Sequence, residues 1–125
     1  MKVVCAAIIR NEKIGIAKRK SKIINGIYEF PGGKVEQNED ELHAIEREIR
    51  EEFELEIKAK KFLINNVCEY PSKTVDLRLY SCDYVKGKFK LHDHSEIAWV
   101  SKEDLLKYDL APADIPLAKY LVEEK

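Results

Sequence analysis

Residues 28–57, YEFPGGKVEQNEDELHAIEREIREEFELEI, decide how the rest of the chain is read. The stretch opens as the end of a buried strand, crosses a loop at Gly32-Gly33 and enters a helix loaded with glutamates. Asn38 is a good N-cap with Glu41 three residues on in the capping-box position, and Glu39 and Asp40 fall in the electropositive first turn. Leu42, Ile45, Ile49 and Phe53 recur at steps of three and four and form one apolar stripe facing a core. At about 100° per residue, Glu48, Glu51 and Glu52 crowd an arc of roughly 100° on the flank of that stripe, and Glu41 shares it. Like charges so placed destabilise an isolated helix by a few tenths of a kcal/mol per pair, so something positive belongs over them. One candidate is an arginine-soaked solvent face, with pairs such as Arg47–Glu51 and Arg50–Glu46. The other is a hard cation, Mg²⁺ or Mn²⁺, whose shell is completed by waters and phosphate oxygens. The glycine pair beside the helix start lets a backbone carbonyl approach such an ion closely.

Spacing chooses between the two. Gly33, five residues, Glu39, seven residues, then Arg47-Glu48-Ile49-Arg50-Glu51-Glu52-Phe53-Glu54-Leu55 closely resembles the Nudix box, G-x5-E-x7-R-E-U-x-E-E-x-G-U with U aliphatic. Every charged position of that pattern is filled. One position departs: the late glycine is Glu54, where a glycine would end the helix in the left-handed conformation that other residues adopt at a cost of roughly 1 kcal/mol. The departure touches the helix end and removes no metal ligand.

A chain of 125 residues is sufficient for one domain, here read as residues 1–125. Its 45% hydrophobic and 36% charged residues are ordinary for a soluble protein, and a net charge of −1 argues against a protein that coats nucleic acid. Neither a leader peptide nor a membrane-spanning run is evident. Cys5, Cys68 and Cys82 are odd in number and widely spaced, which suits reduced core thiols in a cytoplasmic protein rather than a disulfide framework or a zinc site.

Along the chain, residues 2–10 read as a strand buried on both faces, Asn11-Glu12-Lys13 as a break, and residues 14–19 as a second strand. Lys18 to Lys22 form a basic loop, Asn25-Gly26 a turn, and residues 27–30 the strand that delivers the glycines. Residues 55–70 and 74–84 make two long strands, with Val75, Leu77 and Leu79 on the packed face and Asp76, Arg78 and Tyr80 on the wetter one. A turn at Lys86-Gly87-Lys88 leads to a strand at 89–91, and 97–100 is a further short strand. Ser101 with Asp104 starts a helix in capping-box fashion, and Asp114 caps a last one with Leu117, Tyr120 and Leu121 facing inward. This order implies an α+β domain, an α/β/α sandwich, and the resemblance implies the Nudix fold, a mixed β-sheet between helices.

The segment from Leu91 to Leu121 is similar to the same region of MutT-like nucleoside triphosphate pyrophosphohydrolases, most of all the CTP-pyrophosphohydrolase group. That resemblance makes Asp93, six positions before Trp99, a further metal or catalytic carboxylate, with Glu96 its rival. His92 and His94 flank it, but an H-x-H without a third partner is a weak signal for zinc. Ala111 to Pro116 resembles the base-recognition segment, with an aspartate, Asp114, as in the CTP-type relatives; a carboxylate only accepts, which suits the exocyclic amino group of cytosine.

The resemblance implies that Glu48, Glu51 and Glu52 with the Gly32 carbonyl and Asp93 hold Mg²⁺, with Mn²⁺ a substitute. Glu39 and Arg47 belong to the catalytic set, Arg47 orienting glutamates rather than touching substrate. Arg19, in the basic loop after the second strand, is a phosphate or base contact, Lys34 is a candidate to meet phosphate charge, and Tyr28 and Phe30 shape the base pocket. The expected reaction is hydrolysis of a nucleoside triphosphate to a monophosphate and pyrophosphate, preferring cytosine or modified pyrimidine nucleotides. A MutT-type 8-oxo-dGTP diphosphatase that sanitises the nucleotide pool and a non-catalytic nucleotide-binding module are the alternatives. The partner is the small-molecule nucleotide, with no nucleic-acid polymer and no membrane, and the protein a monomer or weak homodimer.

Overall fold

The computed structural model describes residues 1–20, 27–87, 90–92 and 94–124. Asp93 lies outside the described residues, as do Ser21, Lys22, the Asn25-Gly26 turn, Lys88 and Phe89.

The first apolar run is β1 (Lys2–Arg10), and its alternation serves two cores: Val4, Ala6 and Ile8 face one, Cys5 and Ala7 the other. Asn11 and Glu12, with φ of 51° and 65°, turn the chain tightly into β2 (Lys13–Arg19). These two strands pair only between Ile8–Arg10 and Lys13–Gly15 and then splay apart. The wedge is filled by one short stretch: β3 (Tyr28–Glu29) pairs antiparallel with β2, and β4 (Gly32–Lys34) antiparallel with β1. The expected Gly-Gly loop is therefore a strand. Gly32 must be bare, because a Cβ there would sit 2.0 Å from the Val4 carbonyl oxygen and 2.6 Å from the Cys5 Cα.

On its other edge β1 runs parallel to β6 (Lys73–Lys86), which pairs along its length with β5 (Glu56–Tyr70). The last strand, β7 (His94–Ser101), covers the free edge of β2 and is longer than the sequence pattern indicates. The strand expected at 89–91 is absent from its described part: Lys90 and Leu91 carry no strand assignment, and the Lys90 amide bonds the Phe53 carbonyl at 3.0 Å.

The glutamate helix is α1 (Glu41–Phe53), and it covers the face of Val4, Ala6 and Ile8 with Ala44, Ile45, Ile49 and Phe53. Each of the three large side chains is fully buried, worth roughly 1.5–3 kcal/mol apiece. Leu42 does not join them and is 42% exposed. It lies in the first turn, where the strand beneath offers Arg78 and Tyr80 to Glu41 rather than an apolar surface. The N-cap also differs from expectation: Asp40 accepts the His43 amide at 2.8 Å, while Asn38 sits in a preceding turn with φ 63°. At the other end Glu54 occupies the left-handed conformation, φ 52° and ψ 43°, so the helix stops where the glycine of the pattern would stop it.

The opposite face is covered by α2 (Ile115–Glu123) and the 3-10 turn Lys102–Lys107, with Leu105, Leu110, Leu117, Ala118 and Leu121 against Cys5, Ala7 and Ile16. Ser101 donates to the Asp104 carboxylate at 3.0 Å and makes no side-chain bond to a helix amide, so the expected capping box becomes the side-chain lock of a 3-10 turn. Asp114 likewise caps nothing; its carboxylate is turned inward. The result is the expected α+β sandwich, a mixed sheet between helical layers.

Candidate active site

Because β3 and β4 are separated only by Phe30 and Pro31, the wedge in the sheet brings two groups of carboxylates onto one short run of chain. The first is organised by Arg47. Its Nε and Nη2 grip the Glu39 carboxylate at 2.7 and 3.0 Å, Nη2 also donates to the Lys34 carbonyl at 3.0 Å, and Nη1 reaches Glu48 at 2.9 Å and Glu51 at 3.2 Å. The guanidinium thus fastens the turn before α1, the strand β4 and the helix itself to one planar fork. Glu39 accepts in addition from the Glu36 amide at 3.0 Å and meets His43 Nδ1 at 2.8 Å. The Arg47 bonds first, then the Glu36 amide, lower its pKa to about 2, so it is ionised at any working pH. Of the two pairs expected on the helix face, Arg47–Glu51 forms, whereas Glu46 accepts the Ala59 amide at 2.9 Å, at an irregularity in β5.

Gly33 shows why a glycine precedes this helix. A Cβ at that position would lie 2.1 Å from Glu48 Oε2, in the space the carboxylate occupies. Glu51 is exposed and Glu52 half-buried on the same helix. Glu41, although on the same arc, is withdrawn from the group by Arg78 and Tyr80. Among the described residues no three acidic, histidine or cysteine side chains converge as a formed metal centre. The donors are nevertheless all hard oxygens, with Glu48 cradled against the bare Gly33, so the residues fit a hard divalent cation in chemistry.

The second group lines a cleft of about 410 Å³ between β3, the hairpin β5–β6 and the Ala111–Asp114 segment. Asp114 is 7% exposed and accepts the Phe30 amide on Oδ2 at 2.8 Å. Burial pushes its carboxyl up to about 7; the Phe30 amide opposes the rise and the Glu29 charge adds to it. Glu29, which the sequence reading did not single out, lies on the same wall. Burial alone would raise its pKa, but hydrogen bonds from His94 and Arg19 outweigh it and hold the carboxylate below its usual range. A charged residue between Tyr28 and Phe30 on a strand end was the available signal, because alternation turns it away from its aromatic neighbours.

Those aromatics do not line the cleft. Phe30 is 4% exposed in the core under α2, and Tyr28 lies edge-on to Tyr108 with ring centroids 5.1 Å apart; their backbones meet the cleft's wall, the Phe30 amide donating to Asp114 and the Tyr28 carbonyl accepting from the Ala111 amide. Arg19 bonds Glu29 at 2.7 Å, and Lys34 is exposed on β4. Glu96 faces Lys18 at 3.5 Å and hydrogen-bonds Tyr28. The two histidines part company, His92 toward Glu54 at 3.0 Å and His94 toward Glu29 at 2.9 Å. Cys5 and Cys82 are buried free thiols, but Cys68 lines the cleft rather than the core. No described helix is long and apolar enough to cross a membrane.

The family described as NUDIX domain matches residues 4–120. Over 118 residues the chain is 36% identical to the CTP pyrophosphohydrolase of Escherichia coli strain K12, an overlap of 94% of this chain and 87% of that protein. It is 33% identical over 104 residues to the 8-oxo-dGTP diphosphatase of Buchnera aphidicola subsp. Schizaphis graminum, covering 82% and 78%. In three dimensions it is similar to the solution structure of the E. coli ORF135 protein, with a TM-score of 0.88 at 36% identity over 95% of this chain and 86% of that one. The MutT protein of methicillin-resistant Staphylococcus aureus 252 gives a TM-score of 0.78 at 37% identity over 100% and 97%.

Proposed function

The chain belongs to the NUDIX domain family of phosphoric-anhydride hydrolases, and on that premise we propose that it converts a nucleoside triphosphate and water to the monophosphate and pyrophosphate, with a preference for cytosine or modified pyrimidine bases. The observation that carries the proposal is the juxtaposition, along one short run of chain, of the Arg47-bound carboxylates and the Glu29–Asp114 cleft. Glu29 and Gly33 are four residue steps apart with a bend at Pro31, a span of at most about 13 Å, which is the scale of a nucleotide rather than of a single group.

Glu48, Glu51 and Glu52, with the Gly32 carbonyl and Asp93, are the proposed holders of Mg²⁺, or Mn²⁺ in its place. Bound there, the cation neutralises phosphate oxygens and makes water a better nucleophile. The chain's own residues supply the rest. Glu52, the first choice for general base within the cluster, takes a proton from the attacking water as the new P–O bond forms and the anhydride bond breaks. Arg47 keeps Glu39, Glu48 and Glu51 in register and stays charged throughout, its pKa raised chiefly by the Glu39 bonds. Lys34 meets the phosphate charge, while Arg19, bonded to Glu29 at 2.7 Å, stands at the base end. At the far end Glu29 and the free oxygen edge of Asp114 face the base, where acceptors suit an exocyclic amino group. Three free cysteines, Cys5, Cys68 and Cys82, support a reducing, cytoplasmic setting, and the acidic cluster a small-molecule partner rather than a polyanion.

One observation favours a second reading. With its pKa pushed up to about 7, Asp114 is protonated in part of the molecules at neutral pH and can then donate to a purine carbonyl, which suits an 8-oxo-dGTP diphosphatase. Pyrophosphate release with Mg²⁺ and with EDTA, across CTP, dCTP, 5-substituted dCTPs, 8-oxo-dGTP and the common triphosphates, separates the two. Preference for cytosine nucleotides supports the first, preference for 8-oxo-dGTP the second. Glu52→Gln should keep the fold and lower kcat by about a hundredfold or more, and near-normal turnover in that variant would remove the site assignment.

A further inference from the structure

Resting on the reading of Glu29 as a wall of the nucleotide cleft, we infer that His94 is a positioning residue that decides which oxygen of Glu29 the substrate meets. His94 begins β7, where the register sets it opposite Arg19 of β2. Its ring is 1% exposed and tilted 31° to the ring of Phe53, with centroids 5.1 Å apart. Phe53 follows Glu52 directly, so the imidazole stands between the end of the carboxylate helix and the cleft. Nε2 lies 2.9 Å from Glu29 Oε2. The Glu29 carboxylate is ionised and can only accept, so Nε2 carries the hydrogen. Arg19 Nη2 approaches the same oxygen at 2.7 Å. Both donors converge on Oε2 and neither takes Oε1, which leaves Oε1 for a donor entering the cleft. The chemical class of that donor is the exocyclic amino group of a base.

The other ring nitrogen shows that packing alone does not account for this histidine. Nδ1 is buried and has no hydrogen-bond partner among the described residues. A leucine would fill the same space against Phe53 without orphaning a polar atom, and a buried unpaired acceptor is a net loss. What the imidazole adds over an apolar side chain is the single donor it aims at Glu29.

Two measurements test this. The ¹⁵N shifts of His94 in the parent protein should show the Nε2–H tautomer with a bare Nδ1. Steady-state kinetics on the preferred triphosphate should show His94→Leu raising KM about tenfold, the loss of one charge-assisted bond, with kcat within about twofold. His94→Gln, whose amide can still donate, should restore most of that KM, and in a Glu29→Gln background His94→Leu should add less than about twofold, because the bond it removes has lost its charge. An Nδ1–H tautomer overturns the inference whether or not His94→Leu folds. So does an unchanged KM in His94→Leu, or a tenfold rise that persists beside Glu29→Gln. If Glu29→Gln alone leaves KM unchanged for every nucleotide, the cleft reading fails first; if it raises KM while His94→Leu is silent, only the role of His94 is lost.

Discussion

Asp114 and Glu39 respond to pH with opposite sign. Burial lifts Asp114 from 3.8 to about 7, so the folded protein keeps a proton that the unfolded chain gives up between those values. Its effect on stability is therefore nil below about pH 4, grows more unfavourable as pH rises through that window and is fully unfavourable above 7. Asp114→Asn keeps an oxygen for the Phe30 amide and removes the charge. In urea titrations it should match the parent near pH 3.5 and exceed it at pH 8 by up to about 4 kcal/mol. Glu39, lowered to about 2 chiefly by Arg47, behaves in reverse: its contribution is complete above about pH 4.5 and is lost as pH falls toward 2. The place of Glu39, Arg47 and Glu48 was legible in the sequence because their spacing lies within one helix and the turn before it. Glu29 and His94 were not, since their bond spans 65 positions and exists only once β3 and β7 flank β2.

At the scale of elements, the two glycines of β4 do different work. A Cβ on Gly32 meets backbone of β1, which cannot move without opening the ladder, whereas the three atoms nearest a Cβ on Gly33 all belong to the flexible Glu48 side chain. Gly32→Ala should therefore destabilise by at least about 1–3 kcal/mol, while Gly33→Ala should leave the melting temperature nearly unchanged and lower turnover by displacing Glu48. Equal stability loss in both would show that the cradle is structural. The left-handed end of α1 makes a second prediction. Glu54 pairs with His92 and Lys90, but all three side chains are well exposed and such pairs contribute about 0–1 kcal/mol. That is enough to offset the left-handed strain, so Glu54→Gly should be near neutral and Glu54→Ala about 1 kcal/mol less stable than Glu54→Gly in thermal melts. The helix was legible from its period, whereas its N-cap was misplaced by two residues because Asn38 and Asp40 are both good caps and only the Glu36–Glu39 turn selects between them.

For the molecule as a whole, an acidic cluster near the proposed nucleotide cleft predicts that cation and nucleotide bind together. Mg²⁺ in excess of its dissociation constant should raise the melting temperature, by about 1.4 kcal/mol of stability for each further tenfold excess, and EDTA should reverse it. Glu48→Gln and Glu52→Gln should shrink that increment; an unchanged increment in both would place the ion elsewhere. The sequence by itself determined the family, the carboxylate helix, the two-faced strand β1 and the α+β order, because periodicity and motif spacing are local properties of the chain. Only the tertiary structure decided that the glycine pair is a strand, that Asp114 is a buried acid and no helix cap, that Leu42 is left outside the core and that Glu29 and His94 meet beside the cleft. The physical reason is the splay between β1 and β2: one short stretch fills that wedge, and which side chains it turns toward a cleft depends on strands far away in the sequence.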